Sequence, residues 1–169
     1  MDSYLLDITT LITFISDLSN DKKIDTRFGD LEIWKQKNIS IYNHIIDEKN
    51  DPVLPKLIDK LKKGKLLTTK LAWSKFTEMI SMYGSDKEIG RMNDLKVEVI
   101  EDDFLEDTKD WKSKIWSDEN KSIFGTALKK NYTIVTGNIN ALNDILSMGY
   151  QINYIAHRSR CFVSKRYQI

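Results

Sequence analysis

The sequence predicts an α/β fold in which a mainly parallel β-sheet is covered by helices on both faces. Short apolar runs alternate along the chain with segments whose apolar residues recur at three- and four-residue spacing. Such alternation is typical of parallel sheets joined by right-handed crossovers. The chain has 169 residues, which suffices for one domain with its own core. We therefore expect a single domain over residues 1–169.

The N-terminal third predicts one strand and one helix, followed by an ambiguous region. Residues 4–8 are apolar apart from one aspartate and predict the first strand. Residues 9–19 place apolar side chains at helical spacing and predict a helix. Within residues 20–50, residues 28–34 suit a short strand or a turn, and residues 39–46 suit either a strand or a helix.

The middle of the chain has clearer signals. Asp51-Pro52 begins an amphipathic helix, and Gly64 is typical of its end. The next predicted elements are a short strand over residues 65–69, an amphipathic helix over residues 70–83 and a further helical turn over residues 86–93.

The C-terminal part predicts three or four more strands. Residues 96–100 alternate apolar with charged residues, which is typical of a half-buried strand. An acidic loop follows over residues 101–110, and residues 123–128 suit a short helix. The remaining predictions are strands over residues 132–136 and 152–156, a helix over residues 140–148 and a last edge strand over residues 161–169.

Composition limits the classes of partner. The chain has 26 basic and 25 acidic residues, so its net charge of +1 gives no general attraction to nucleic acid, and any electrostatic footprint must be local. One cysteine, Cys161, leaves no internal disulfide partner, and two histidines, His44 and His157, are too few for a His-rich metal site. The first residues lack the basic and apolar pattern of a signal peptide, so we expect none, and no apolar run reaches membrane-spanning length. We expect an intracellular protein, cytoplasmic or nuclear, without a membrane partner.

Asp7 is the most informative single residue. It lies within an apolar run at the predicted end of the first strand, and Thr9 and Thr10 follow it. Because open α/β sheets bind ligands at the carboxyl ends of their strands, Asp7 is predicted to be exposed there, as a metal ligand or beside a phosphate. The alternative is that Asp7 caps the next helix with the help of Thr9 or Thr10.

A two-metal nuclease needs three or four carboxylates that converge on one place. Glu78 is a second candidate, although an exposed surface role suits it as well. Asn138 follows a predicted strand where a metal-binding aspartate would be expected, but a neutral amide is a poor replacement. The sequence therefore yields no complete acidic cluster.

The segment His157-Arg158-Ser159-Arg160 is the densest basic cluster with other hydrogen-bond donors. Arginine binds phosphates with two parallel hydrogen bonds, so His157, Arg158 and Arg160 are candidates for RNA or phosphate binding, together with Thr9 and Thr10. The alternative is that Arg160 pairs with an acid and holds the sheet edge. The lysines between residues 56 and 70 suit an exposed helix face better than a binding patch.

Five short stretches, in order along the chain, resemble the eukaryotic PIN-like family catalogued as domain of unknown function 1308. They are Leu6-Asp7-Ile8-Thr9-Thr10-Leu11-Ile12, Val53-Leu54-Pro55, Ile123-Phe124-Gly125-Thr126, Thr133-x-Val135-Thr136-Gly137-Asn138 and His157-x-x-Arg160. The resemblance implies a PIN-like three-layer α/β/α sandwich and, by analogy, a role in RNA metabolism. PIN domains are typically ribonucleases that use Mg²⁺ or Mn²⁺.

Two acids of the family pattern are replaced in this chain. Where the family reads Ile-Phe-Gly-Thr-Gly-Asp, the acid falls on Leu128, and an acid on an earlier helix falls on Lys75. The resemblance therefore implies a degenerate site and a non-catalytic module, without a cofactor, that binds RNA or an RNA-processing protein. The alternatives are a weak Mg²⁺- or Mn²⁺-dependent ribonuclease that uses Asp7 and a purely structural partner of another protein.

Overall fold

The computed structural model describes residues 2–21 and 31–163, which form a five-stranded, entirely parallel sheet. The strands are β1 (Ser3–Leu6), β2 (Lys65–Thr69), β3 (Glu98–Ile100), β4 (Thr133–Thr136) and β5 (Tyr154–Ala156). Their order across the sheet is β3-β2-β1-β4-β5. Strands β2 and β4 flank β1, so β1 lies at the centre of the sheet.

Helices account for most of the remaining described residues. They are α1 (Ile8–Ile15), α2 (Asp17–Asn20), α3 (Leu31–Lys37), α4 (Ile39–Asn50), α5 (Val53–Leu61), α6 (Lys70–Tyr83), α7 (Asp86–Asp94), α8 (Asp118–Lys130) and α9 (Ile139–Ser147). A 3₁₀ turn lies at Glu106–Asp110. No helix in the described part of the chain is long and apolar enough to cross a membrane.

Neighbouring residues of β1 belong to different hydrophobic cores. Leu5 is buried in a cluster that contains Phe124 of α8, whereas Leu6 is buried in a second cluster that contains Leu11 of α1 and Phe76 of α6. Because successive side chains of a strand point to opposite faces, this division places helices on both sides of the sheet. The predicted three-layer α/β/α sandwich with a parallel sheet is confirmed.

The order of the strands reverses between β1 and β4. The chain places β2 and β3 successively on one side of β1, then crosses over to place β4 and β5 on the other. In open parallel sheets this reversal leaves a crevice at the carboxyl ends of the strands. Asp7 follows β1 and Gly137 follows β4, so both lie beside this crevice.

The predicted helix over residues 9–19 is divided at Ser16. Backbone angles of φ −53° and ψ 136° end α1 there, and the Ser16 hydroxyl accepts a hydrogen bond from the amide of Leu18 to begin α2. The strand or turn expected over residues 28–34 is wrong for its described part, because Leu31 begins α3. Trp34 is a buried residue of that helix. The rest of that prediction, including Phe28, lies outside the described residues. The ambiguous residues 39–46 belong to α4.

The C-terminal predictions need two corrections. The short helix over residues 123–128 is part of the longer α8, which begins after the cap residue Ser117. Residues 161–163 do not form the predicted edge strand, and the side chains of Phe162 and Val163 are buried in hydrophobic clusters. Residues 164–169 lie outside the described part of the chain. Helix α5 ends at Leu61, somewhat before the expected position at Gly64.

Candidate functional site

The carboxylate of Asp7 is buried beneath the crevice and receives several hydrogen bonds. Its Oδ1 accepts from the hydroxyl of Thr9 at 2.6 Å and from the amide of Thr10 at 2.9 Å. Its Oδ2 accepts from the hydroxyl of Thr136 at 2.5 Å. We expected an exposed aspartate, but only 2% of Asp7 is exposed, because these groups surround it. Asp7 caps α1, as the alternative prediction proposed, and it also links β1 to β4.

Thr9 and Asn138 complete the link between the two strand ends. The hydroxyl of Thr9 accepts a hydrogen bond from the amide of Gly137 at 2.8 Å. The side chain of Asn138 caps α9 by accepting from the amide of Ala141 at 3.1 Å. Both predicted site residues therefore hold helix ends and turns in place.

Gly137 allows the loop after β5 to lie directly over the end of β4. A Cβ atom at this position would be 2.8 Å from the Cβ of Ser159 and 3.1 Å from Cε1 of His157. Contacts below about 3 Å force a shift of the neighbouring atoms, so a larger residue at 137 would push this loop outward. Glycine at this turn thus brings His157 to the crevice.

His157 bonds to Thr10 through its ring. Nε2 lies 2.7 Å from the Thr10 hydroxyl oxygen, and Nδ1 lies 3.0 Å from the carbonyl oxygen of Arg158. Since a carbonyl only accepts, this contact assigns the proton of the neutral ring to Nδ1. The unprotonated Nε2 then faces the Thr10 hydroxyl, whose single proton also faces the Val135 carbonyl oxygen at 2.7 Å. Burial lowers the pKa of His157 below its usual value, although the Arg158 carbonyl and the charge of Asp7 oppose that effect.

Arg160 is engaged in a buried ion-pair network with α4. Its Nε donates to Glu48 at 2.5 Å and its Nη2 donates to Asp47 at 2.8 Å, while only 1% of its side chain is exposed. The structure thus favours the interpretation that Arg160 pairs with acids over a role in phosphate binding. Burial raises the pKa of Glu48, and the hydrogen bond from Arg160 opposes that rise.

Arg158 differs from Arg160 in its exposure. Its guanidinium pairs with Asp47 and lies 3.9 Å from a carboxylate oxygen of Asp51, but 61% of the side chain is exposed. Exposed ion pairs contribute roughly 0–1 kcal/mol, so an incoming anion can compete for this arginine. Of the two predicted phosphate-binding arginines, only Arg158 is accessible.

Glu78 does not join these residues. Its side chain is 59% exposed on α6 and lies 3.8 Å from Nζ of Lys75. The structure places it on the surface, as the alternative interpretation expected. Within residues 2–21 and 31–163, no group of three or more His, Cys, Asp or Glu side chains is arranged to hold a metal ion.

A cleft of about 870 Å³ opens at the carboxyl edge of the sheet, between α4 and the ends of β4 and β5. Both histidines of the chain line it. The lining residues are Ile39, Ser40, Asn43, His44, Asp47, Gly137, Ile139, Ala156, His157, Arg158, Ser159 and Arg160. Burial lowers the pKa of His44, as does the charge of Arg160, and Asp47 opposes both.

Sequence reasoning did not find the wall of the cleft that α4 contributes. Asn43, His44 and Asp47 lie in the region whose secondary structure was ambiguous, and no local pattern connects them to residues 157–160. Composition alone could have indicated this wall, because a histidine and two acids, Asp47 and Glu48, occur close together in a chain with only two histidines.

A family model described as protein of unknown function (DUF1308) matches residues 5–167 of the chain. No curated protein and no solved structure shows a significant match.

Proposed function

The chain belongs to the family of proteins of unknown function DUF1308, and we propose that it is a single, non-catalytic PIN-like module that binds single-stranded RNA in the cleft beside β4 and β5. The observation that carries this proposal is the combination of an accessible arginine with ring and apolar side chains in one cleft at the carboxyl edge of the sheet. The proposed role is in RNA metabolism, in the cytoplasm or the nucleus.

The surroundings of Asp7 support a non-catalytic role. A metal ion would have to compete with the hydroxyls of three threonines and a backbone amide for the oxygens of this carboxylate. A two-metal ribonuclease also needs further carboxylates at the same place, and Glu78 is paired on the surface instead. The geometry therefore favours Asp7 as a structural residue over the alternative of a weak Mg²⁺- or Mn²⁺-dependent ribonuclease.

The chemistry of the cleft supports RNA as the ligand. Its volume of about 870 Å³ lies within the roughly 300–1,000 Å³ typical of small-molecule sites, so it can hold a nucleotide unit. Arg158 can bind a phosphate, and Ile39 and Ile139 expose apolar surface along the cleft. Single-stranded RNA is recognised by this combination of backbone cations with surfaces that pack against unstacked bases.

The first experiment measures the binding of a fluorescent uridine oligonucleotide of about ten nucleotides by anisotropy. Asn43→Asp introduces a negative charge into the cleft with almost no change of shape and should weaken binding several-fold. Asn143→Asp is the matched control, because Asn143 is an exposed residue in the middle of α9 and does not line the cleft. Arg158→Gln should also weaken binding and reduce the salt slope by about 0.7. Lys129→Gln should change neither, because Lys129 is an exposed residue of α8 that does not line the cleft.

Two results would contradict the proposal. If the wild-type protein does not bind RNA at about 0.1 M salt, the RNA ligand is wrong, and an RNA-processing protein becomes the partner to seek. If RNA is cleaved in the presence of Mn²⁺ and Asp7→Asn abolishes the cleavage, the non-catalytic role is wrong. A thermal scan provides a second check on the metal, because an ion at a hundredfold excess over its Kd would stabilise the fold by about 2.7 kcal/mol.

A further inference from the structure

A second, smaller cleft adjoins the first between α5 and the end of β5. Its volume is about 130 Å³. The two clefts share Ala156, His157 and Arg158, so these residues form the boundary between them. The far wall of the smaller cleft comes from α5 and from the residues just before it. A ligand that spans both clefts would therefore pass over Arg158.

The size of the smaller cleft restricts what it can hold. Its volume of about 130 Å³ is well below the roughly 300 Å³ at the lower end of small-molecule sites. A base with its sugar is too large for such a space, whereas a compact phosphate group is not. The two volumes thus suit neighbouring parts of one nucleic-acid chain, a nucleoside in the larger cleft and a phosphate in the smaller one.

Three cationic side chains line the smaller cleft. Lys56 and Lys60 are four residues apart on α5 and so share one face of the helix. Arg158 lies on the opposite wall. The positive charge of Lys60 contributes to the lowered pKa of His157, which agrees with the position of Lys60 close to this boundary residue. The lysines of α5 lie on an exposed helix face, as the sequence predicted, and two of them also line the same cleft as Arg158.

Asp51 is the acidic residue in the lining of the smaller cleft, while Asp47 pairs with Arg158 from the larger one. One oxygen of the Asp51 carboxylate lies 2.7 Å from Nζ of Lys56, and the other lies 3.9 Å from Nη1 of Arg158. The Lys56 hydrogen bond lowers the pKa of Asp51, so the carboxylate is ionised at neutral pH. An anion that enters the cleft must displace this carboxylate from both partners.

We propose that the smaller cleft is a phosphate subsite, formed by Lys56, Lys60 and Arg158, for the residue next to the nucleotide held in the larger cleft. Asp51 pairs with Lys56 and lies near Arg158, so its negative charge opposes the binding of an anion. This inference rests on the proposed function, because it extends the same RNA-binding surface along α5.

The experiment uses two pairs of matched variants in the full chain and the same labelled uridine oligonucleotide. Lys60→Ala should lower affinity several-fold and reduce the salt slope by about 0.7, whereas Lys62→Ala should change neither. Asp51→Asn should raise affinity several-fold, because it releases Lys56 and removes a negative charge near Arg158, whereas Asp59→Asn should not. Lys62 and Asp59 suit this purpose since they pair with each other at 2.9 Å and line neither cleft.

A length series adds an independent test. Uridine, which carries no phosphate, should bind equally well to the wild type and to Lys60→Ala, whereas an oligonucleotide of about ten residues should lose affinity in both Asn43→Asp and Lys60→Ala. If Lys60→Ala behaves like Lys62→Ala while Asn43→Asp still weakens binding, the subsite is wrong and the proposed function stands. If no variant changes binding because the wild-type protein does not bind RNA, the proposed function itself fails.

Discussion

The carboxylate of Asp7 and the hydroxyl of Thr136 lie 2.5 Å apart and join the ends of two strands that are 129 residues apart in the chain. The same carboxylate caps α1 through the amide of Thr10. One side chain therefore accepts a hydrogen bond from a free amide at the start of α1 and also connects β1 to β4, where the strand order reverses. The hydrogen bonds from Thr9, Thr10 and Thr136 allow this carboxylate to be buried just beyond the end of β1.

Asp7→Ala should destabilise the protein more than the loss of a helix cap alone. A lost cap costs about 1 kcal/mol, and each buried donor left without a partner adds roughly 1–3 kcal/mol. Asn138→Ala is the matched control, because Asn138 caps α9 and its side chain does not bridge two strands. Urea unfolding should show the larger loss for Asp7→Ala. Equal losses would mean that the contact with Thr136 contributes nothing.

Arg160 and Arg158 should differ sharply in their effect on stability. Arg160→Met leaves Glu48 buried without its partner, and breaking a buried ion pair typically costs about 3–5 kcal/mol. Arg158→Met removes an exposed pair and should cost less than about 1 kcal/mol. Chemical denaturation of the two variants measures both values. A mild effect of Arg160→Met would indicate that its network is not needed for folding, and this arginine could then serve a ligand.

Two glycines should respond to alanine in opposite ways. A Cβ at Gly64 would lie 1.9 Å from Cε2 of Tyr4, so the Tyr4 ring would have to move, and such overpacking costs about 1–3 kcal/mol. Nothing lies within 4 Å of a Cβ at Gly90, which is inside α7, so alanine there should stabilise by about 0.5–1 kcal/mol. Thermal unfolding of both variants tests the pair, and a tolerated Gly64→Ala would contradict the predicted clash.

Stability should fall as the pH drops below the ordinary histidine pKa of 6.5. The pKa values of His44 and His157 are both lowered in the folded chain, chiefly by burial, so the unfolded chain binds protons first. Where the unfolded state binds more protons, the free energy of unfolding decreases with falling pH, and the decrease ends below the folded pKa values. Urea titrations between about pH 7.5 and 5 would measure this slope.

Histidine variants separate this effect from that of the acids. The pKa values of Glu48 and Glu88 are raised by burial, so these two groups contribute the opposite slope as the pH falls. His44→Gln and His157→Gln leave the two acids in place. Each variant should therefore lose less stability than the wild type over the same range of pH. If the wild type and both variants show the same slope, these histidines do not titrate abnormally.

The sequence by itself determined the features that depend on neighbours along the chain. The strand over residues 65–69 and the helix over residues 70–83 occur as predicted, because apolar period and glycine position are local signals. The cap at Asp7 was also predictable, since its partner Thr10 is only three residues away. The division of the first long helix was not, because Ser16 offers the chain a new cap in the middle of an otherwise helical pattern.

Only the tertiary structure decided the partners of Arg160 and the walls of the clefts. Asp47 and Glu48 are 113 and 112 residues away from Arg160 in the chain. His44 and His157 line one cleft because β5 lies beside β4 in the sheet and α4 lies across the cleft from the ends of these strands. An ion pair or a cleft requires groups to meet in space, and strand order and helix packing determine which groups meet. No periodicity along the chain records that choice.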